Sequence, residues 1–131
     1  MKKGVLLNQP ISNVIAGMGH TDELVIADAG LPIPATTQRI DLALTQNIPP
    51  FVDTLRVVLS ELQVEKAIVA EEVISVSPHI FSAIKDLLGN APIETIPHAA
   101  FKARTGLATA VIRTGDFSAY ANIILIAGVV F

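Results

Sequence analysis

The apolar positions along the chain change their spacing several times, and each change predicts a new element. Three segments show the 3.6-residue spacing of a helix with one buried face, namely residues 10–18, 49–62 and 77–88. Gly19 and Gly89 stand where the first and third of these helices should end in a left-handed residue, and Ser77 is predicted to cap the third.

Short runs rich in Val, Ile, Leu and Ala predict strands between these helices. The predicted strands cover residues 23–27, 39–44, 66–70, 93–96, 108–113 and 122–130. Because strands alternate with helices, we expect a single-domain, layered α/β fold over residues 1–131, with a largely parallel sheet flanked by helices. Ligands bind beyond the carboxyl ends of strands in such sheets, so polar residues that follow strands are candidates for a site.

Composition narrows the class of protein. The chain is 51% hydrophobic and 16% charged, which excludes a disordered chain. A net charge of −3 without any basic run argues against a nucleic-acid partner. The absence of Cys excludes disulfides, thiol catalysis and Cys-based zinc sites. Such apolar content in so short a chain favours burial of some surface against other copies of the chain.

Neither end of the chain has the pattern of a membrane segment. The first apolar run stops at Asn8, and the last, residues 121–131, contains Asn122 and Gly128 and has about half the length that a bilayer requires. We therefore expect no membrane association and a cytoplasmic location.

Two candidate residues flank the first predicted strand. His20 lies in the polar loop before it, and an imidazole with a pKa near 6.5 can transfer protons at neutral pH; a loop histidine without a role is the alternative. Asp22, in the same loop, is a candidate supporting residue. Asp28 directly follows the strand. Taken alone, its Asp-x-Gly sequence favours a turn, whereas the rigid loop carrying Pro32 and Pro34 favours the wall of a site.

Further candidates follow later strands. His98 either begins a helix or contacts a ligand, and Lys102, one helical turn on, could face the same way. Tyr120 and Asn122 offer the hydroxyl and amide groups that suit sugar hydroxyls. His79 is expected on the solvent face of a helix without a function.

Other motifs are excluded or absent. The pair at residues 71–72, two glutamates, would point to opposite faces of a strand and so would not form an acid/base pair. The chain has no phosphate-binding glycine loop, no zinc-spaced histidine pair and no G-x-S-x-G motif. Any catalysis is therefore expected from acid/base groups and hydrogen bonds.

Four motifs taken together resemble the ribose branch of the ribose pyranase/fucose mutarotase family over the whole chain. They are GHTD at 19–22, IADAGLPIP at 26–34, H-x-x-F-K at 98–102 and YAN at 120–122. The resemblance implies ring opening and closure of free D-ribose between pyranose and furanose forms, and also between anomers, without a metal or organic cofactor. It assigns the proton donor to His20 and substrate binding to Asp28, His98, Tyr120, Ala121 and Asn122.

The resemblance also implies a ring-shaped homo-oligomer, commonly a decamer, with sites near subunit boundaries, and a role after ribose uptake, where the following kinase needs the furanose. On this interpretation Asp28 either orients His20 or holds a sugar hydroxyl, and the apolar chain end at Phe131 is a reasonable subunit contact. Two alternatives stay open. One is a non-catalytic ribose-binding accessory of a transport system, and the other is a metal-dependent hydrolase using His20, Asp22, Asp28 and His98.

Overall fold

Six strands form one sheet in the computed structural model, which describes residues 1–131. The strands are β1 (Glu23–Ala27), β2 (Gln38–Asp41), β3 (Val64–Ala70), β4 (Ile93–Ile96), β5 (Ala110–Arg113) and β6 (Ile123–Ala127). The helices are α1 (Gln9–Gly17), α2 (Phe51–Leu59), α3 (Glu72–Val76), α4 (Pro78–Leu88) and α5 (His98–Arg104), followed by a 3₁₀ turn at Thr105–Leu107. None of these helices combines the length and the apolar character that a bilayer crossing demands.

The strands follow the order β2-β5-β1-β6-β3-β4, and only β6 runs against its neighbours. The predicted α/β fold with a largely parallel sheet is therefore confirmed. Because β6 is antiparallel to β1 and β3, it begins where they end. One edge of the sheet, called here the Asp28 edge, thus carries the end of β1 and the start of β6. The opposite edge, called the His20 edge, carries the start of β1 and the end of β6.

The core lies on both faces of the sheet. Ile123 and Leu125 of β6 pack into the cluster formed with α1, α2, α3 and α4. Ile124 and Ile126 face the other way and pack into a smaller cluster with Phe101 of α5. All five residues of β6 are buried, which explains why this strand is a continuous apolar run instead of an alternating one.

Strand β2 is shorter than predicted. The Leu42 N–H still donates to Arg113 O at 2.9 Å, but the Ala43 N–H donates to the Asp41 side chain at 3.0 Å, which turns the chain away from the sheet. Leu44 is consequently exposed, although in the predicted strand it continues the alternation of Ile40 and Leu42 on one side. The neighbouring strand β5 ends at Arg113, so the residues after Leu42 have no strand to which they could hydrogen-bond and β2 stops.

Two predicted caps differ in the structure. Helix α1 ends at Gly17, and the left-handed residue in the following loop is Thr21 (φ 70°) and not Gly19. Ser77 occupies the N-cap position of α4, as predicted, but its side chain makes no capping bond, because its hydroxyl donates to Ala119 O at 2.7 Å. Gly89 ends α4 with φ 58°, as predicted.

Three further boundaries differ. Helix α2 ends before residue 62, and the last strand ends at Ala127, with residues 129–131 exposed. Helix α3 has five residues, too few for a periodic pattern to reveal it. His98 begins α5, which was one of the two alternatives that the sequence left open for this residue.

The connection from β5 to β6 is held by buried polar groups. The Asp116 carboxylate accepts the N–H of Phe51 at the start of α2 (2.9 Å) and the N–H of Ser118 (2.7 Å). The Thr114 hydroxyl donates to Ala27 O at 2.7 Å. These bonds tie the connection to both α2 and β1, so the residues that follow it reach the Asp28 edge in a defined position.

Gly115 is required by the packing of this connection. A Cβ at Gly115 would overlap the backbone carbonyl oxygens of Ile48 and Thr45, whereas a Cβ at Gly106 would meet nothing within 4 Å. We expect Gly115→Ala to lower the free energy of unfolding by about 1–3 kcal/mol, and Gly106→Ala to change it by less than about 0.5 kcal/mol. Chemical denaturation measures both values, and equal effects would contradict this account of the packing.

Candidate active site

Asp28 is held in place by Asn122 across the strand pair. The fully buried Asn122 side chain accepts the Asp28 N–H through Oδ1 (2.8 Å) and donates from Nδ2 to Asp28 Oδ2 (2.9 Å). The other carboxylate oxygen of Asp28 accepts the Gly30 N–H at 2.9 Å. Each carboxylate oxygen retains a further lone pair. Asp28 is thus a half-buried, oriented carboxylate that can still accept hydrogen bonds from a ligand.

His98 is the first residue of α5 and lies beside Tyr120. Its backbone N–H donates to both carboxylate oxygens of Glu72, at 3.1 and 3.0 Å. Its ring stacks on Phe101, with 6.4 Å between centroids, and meets Tyr120 edge-on at 4.9 Å. The His98 Nδ1 atom is buried without a hydrogen-bond partner. Because such atoms are rare in folded proteins, this nitrogen is a candidate for contact with a ligand.

Tyr120 occupies an unusual backbone conformation. Its φ of 63° lies in the left-handed region, which costs a non-glycine residue about 1–3 kcal/mol. The Asn122 N–H donates to Tyr120 O at 2.8 Å and the Ala121 N–H to Ser118 O at 3.2 Å, and these bonds stabilise the turn. The turn buries Ala121 and directs the Tyr120 ring toward His98.

Three of the predicted binding residues share one cleft. Asp28, His98 and Tyr120 line a cleft of about 240 Å³ together with residues 30–32 and Ala119. Asn122 lies behind Asp28 and Ala121 lies in the core, so both support this cleft without lining it. Lys102 lies one turn after His98 in α5, but its exposed side chain does not line this cleft.

A second cleft of about 380 Å³ adjoins the first and shares Asp28 with it. It adds Arg113, whose Nε donates to Ala29 O at 3.0 Å and whose Nη1 pairs with Asp41 at 3.1 Å. Sequence reasoning did not select Arg113, because it lies within a predicted strand and no local motif marks it.

His20 lies at the other edge of the sheet. The Thr21 N–H donates to Ala127 O and the Ala127 N–H donates to Asp22 O, both at 2.9 Å. The Asp22 carboxylate accepts the Gly19 N–H at 2.8 Å, so Asp22 braces the loop. The His20 ring projects from this loop, and its Nε2 lies 2.8 Å from Glu65 Oε2.

The His20 side chain borders a different cleft, of about 430 Å³, which the end of the chain helps to line. Strand β1 separates this cleft from Asp28. Its five residues are separated by four steps of about 3.3 Å, which puts about 13 Å between the first and the last. A pentose is much shorter than this, so it cannot touch His20 and Asp28 of the same chain. Within one chain Glu65, and not Asp28, is the carboxylate in contact with His20.

Helix α5, which carries His98, is anchored at both ends. Glu72 holds its first residue, and Arg104 in its last turn pairs with Glu23 at the start of β1. The hydrogen bond to Glu23 raises the pKa of Arg104. Glu94 is the other residue with a shifted pKa: a hydrogen bond from Lys66 lowers it, and Glu94 lines none of the three clefts.

The Glu71-Glu72 pair has a different setting from the one the sequence suggested. Strand β3 ends before it, and Glu72 begins α3, from where its carboxylate reaches the start of α5. Sequence reasoning missed this contact because the two residues are 26 positions apart. No three His, Asp or Glu side chains lie close enough together to hold a metal ion. The quartet of the metal-dependent alternative is divided between the two edges of the sheet.

Comparison with known proteins shows which chains this one resembles. The profile of the RbsD / FucU transport protein family matches residues 1–130. A D-ribose pyranase of Coprothermobacter proteolyticus is 54% identical over 131 residues, which cover 100% of both chains. The structure of Bacillus subtilis RbsD complexed with D-ribose superposes with a TM-score of 0.97, at 45% identity and 100% coverage of both chains. The fucose mutarotase of Streptococcus pneumoniae in complex with L-fucose gives a TM-score of 0.81 at 27% identity, covering 95% of this chain and 94% of that one.

The contact between Asn122 and Asp28 predicts a pH-dependent effect of Asn122→Asp. The introduced carboxyl would face the carboxylate of Asp28, and this repulsion should raise the pKa of the introduced group above its unfolded value. The variant should therefore lose about 1–3 kcal/mol of unfolding free energy at pH 7, and the loss should shrink as the pH falls toward about 4.5.

Denaturation at both pH values, relative to the unsubstituted protein, measures this change. Asn122→Ala is the control without an added charge: it loses the bond to the Asp28 carboxylate as Asn122→Asp does, and also the bond from the Asp28 N–H, and its deficit should not shrink in this way. A deficit of Asn122→Asp that stays constant with pH would contradict the assigned contact.

Proposed function

This chain belongs to the RbsD / FucU transport protein family, and we propose that it acts as a D-ribose pyranase, a sugar isomerase that interconverts the pyranose and furanose rings of free D-ribose. The observation that carries the proposal is full-length similarity to D-ribose pyranases combined with a polar cleft at Asp28, His98 and Tyr120. The ribose complex of the similar Bacillus subtilis protein supports the same substrate.

The reaction requires proton transfers and no redox step. Opening a hemiacetal ring delivers a proton to the ring oxygen and removes one from the anomeric hydroxyl, and closure repeats these transfers with a different hydroxyl. A positioned imidazole can give and recover protons near neutral pH, and such acid/base catalysis contributes about 10²–10⁴-fold. We assign the proton donor to His20. The Asp28 carboxylate accepts sugar hydroxyls, and His98 Nδ1 and the Tyr120 hydroxyl complete their hydrogen bonds.

These roles require two copies of the chain in each site. His20 and Asp28 stand at opposite ends of β1, so His20 must approach the Asp28 cleft from a neighbouring copy. The proposed site is therefore closed when the His20 edge of one copy covers the Asp28 edge of the next.

Exposed apolar side chains support contact between these two edges. Val130 and Phe131 lie beside His20, and Phe117 lies beside Asp28. A contact between two different surfaces is heterologous, and repeating it by rotation closes a ring. A ring agrees with the homo-oligomer that the family resemblance implies, and we propose a decamer as its size. We also propose that the protein is cytoplasmic and that it acts after sugar uptake and before phosphorylation of the furanose.

Saturation-transfer NMR on equilibrated D-ribose tests the activity. EDTA-treated protein should accelerate exchange between pyranose and furanose signals, and His20→Ala should reduce this acceleration by about 10²-fold or more with the oligomer intact. The control is His79→Ala, which removes an exposed histidine that lines none of the clefts. Ribose binding without faster exchange would instead identify a non-catalytic accessory, and no response to ribose would refute the substrate.

Mixed oligomers test the shared site. His20→Ala and His98→Ala copies, each inactive alone, should regain activity when they are co-expressed, because about a quarter of randomly assembled interfaces then hold both histidines. Co-expression of His20→Ala with the double variant His20→Ala/His98→Ala should stay inactive. If the first mixture also stays inactive while mixed oligomers form, each site must lie within one chain.

A further inference from the structure

The side chain of Glu65 contacts the proposed proton donor. Its Oε2 lies 2.8 Å from His20 Nε2, and both side chains are about half exposed, at 43% and 53%. We infer that Glu65 is a positioning residue, which holds the His20 ring in one orientation and one tautomer. This inference rests on the proposed function, since Glu65 would affect the reaction only through His20.

Glu65 occupies an irregular position in β3. Val64 pairs with Ala127 of β6, and Lys66 pairs with Ile126, so two steps along β3 match a single step along β6. Glu65 is therefore the extra residue of a β-bulge. Bulges redirect a side chain away from the alternation of a regular strand. Here the bulge stands at the His20 edge, where the redirected carboxylate reaches the His20 loop.

The strand opposite the bulge leaves space for Glu65. A Cβ at Gly128 would lie 3.0 Å from the Glu65 Cβ and 3.3 Å from its backbone nitrogen. The Gly128 N–H donates to Gln63 O at 2.9 Å, which draws the two strands together here. Glycine thus permits a close approach that a side chain at this position would crowd.

The backbone of the His20 loop is itself held by the end of β6. Thr21 adopts a left-handed conformation and bonds to Ala127, the residue that pairs beside the bulge. The same β6 terminus therefore holds both partners of the contact. Each side of the pair departs from regular backbone, the bulge at Glu65 and the positive φ at Thr21, and both departures bring the carboxylate and the imidazole together.

The contact determines which nitrogen of His20 can meet the sugar. A carboxylate accepts a hydrogen bond, so it selects the ring form that carries a proton on Nε2. Nδ1 is then left for the substrate. Nδ1 of this tautomer carries no proton, so it first accepts the proton of the anomeric hydroxyl, and the resulting imidazolium then delivers that proton from Nδ1 to the sugar ring oxygen, while Nε2–H stays bonded to Glu65.

Kinetics on the intact oligomer test this role. Glu65→Ala should lower kcat about 10–100-fold and leave the KM for ribose within about twofold, since Glu65 does not touch the sugar. Glu65→Gln retains an oxygen that can accept Nε2–H and should recover part of the loss. The matched control is Glu94→Ala, which removes a carboxylate of similar exposure (42%) that is paired with Lys66 on the neighbouring strand, and its kcat should be unchanged.

A double-mutant cycle separates positioning from a general structural role. In the His20→Ala background, Glu65→Ala should change the residual rate by less than about twofold. If Glu65→Ala reduces the rate equally in both backgrounds, or raises KM and not kcat, Glu65 acts elsewhere and the inference is wrong.

Nitrogen-15 NMR of the histidine rings gives a readout that does not depend on turnover. The His20 ring should show a protonated Nε2 and an unprotonated Nδ1 at alkaline pH, and Glu65→Ala should shift both resonances toward the averaged values of a free imidazole. Unchanged His20 resonances would refute the contact. If this shift occurs but the unsubstituted protein does not accelerate ribose exchange, the positioning contact stands and the proposed function fails.

Discussion

The pairing of β6 between β1 and β3 is the constraint on which both candidate half-sites depend. This strand runs against all the others in the centre of the sheet, so its hydrogen bonds set two edges at once. Its first residues bring Asn122 and Tyr120 next to Asp28 and His98. Its last residues hold the His20 loop and face the bulge at Glu65. Because all five residues of β6 are buried, neither end can shift without disturbing the core.

The two half-sites stand at opposite ends of β1. A sheet only a few residues deep still separates its edges by more than a sugar can bridge. On the proposed function, a single chain holds the binding cleft at one edge and the proton donor at the other, and a second copy joins them. On this proposal assembly is a condition for catalysis and not simply a source of stability, and the exposed apolar residues next to each half-site offer surfaces for the contact.

The sequence predicted much of the fold, for reasons that the structure makes plain. Apolar spacing marked α1, α2 and α4 well because each buries one face, and β-branched runs marked the strands. Strand-following polar residues identified Asp28 and His98, since the carboxyl ends of β1 and β4 share an edge. The end of β2 could not be predicted, because the alternation continues to Leu44 while the partner strand stops. The brief helix α3 has no period to detect.

The remaining features depend on contacts between distant parts of the chain. Nothing local indicates that Asn122 bonds to Asp28, that Glu72 holds α5, or that a bulge directs Glu65 to His20. The family resemblance grouped His20 with Asp28 as parts of one site, although the two residues flank β1 and so lie at opposite edges of the sheet. An apolar run has no direction in the sequence, so the antiparallel pairing of β6 had to be seen in three dimensions.

The most direct test of the shared site is an experimental structure of the assembled protein with D-ribose bound. The account predicts the sugar in the cleft of Asp28, His98 and Tyr120, with His20 of an adjacent copy within about 3.2 Å of a sugar oxygen or joined to it by one water. It would be contradicted by an assembly in which the His20 edge faces solvent while ribose occupies the cleft, or in which His20 of the same chain reaches the sugar.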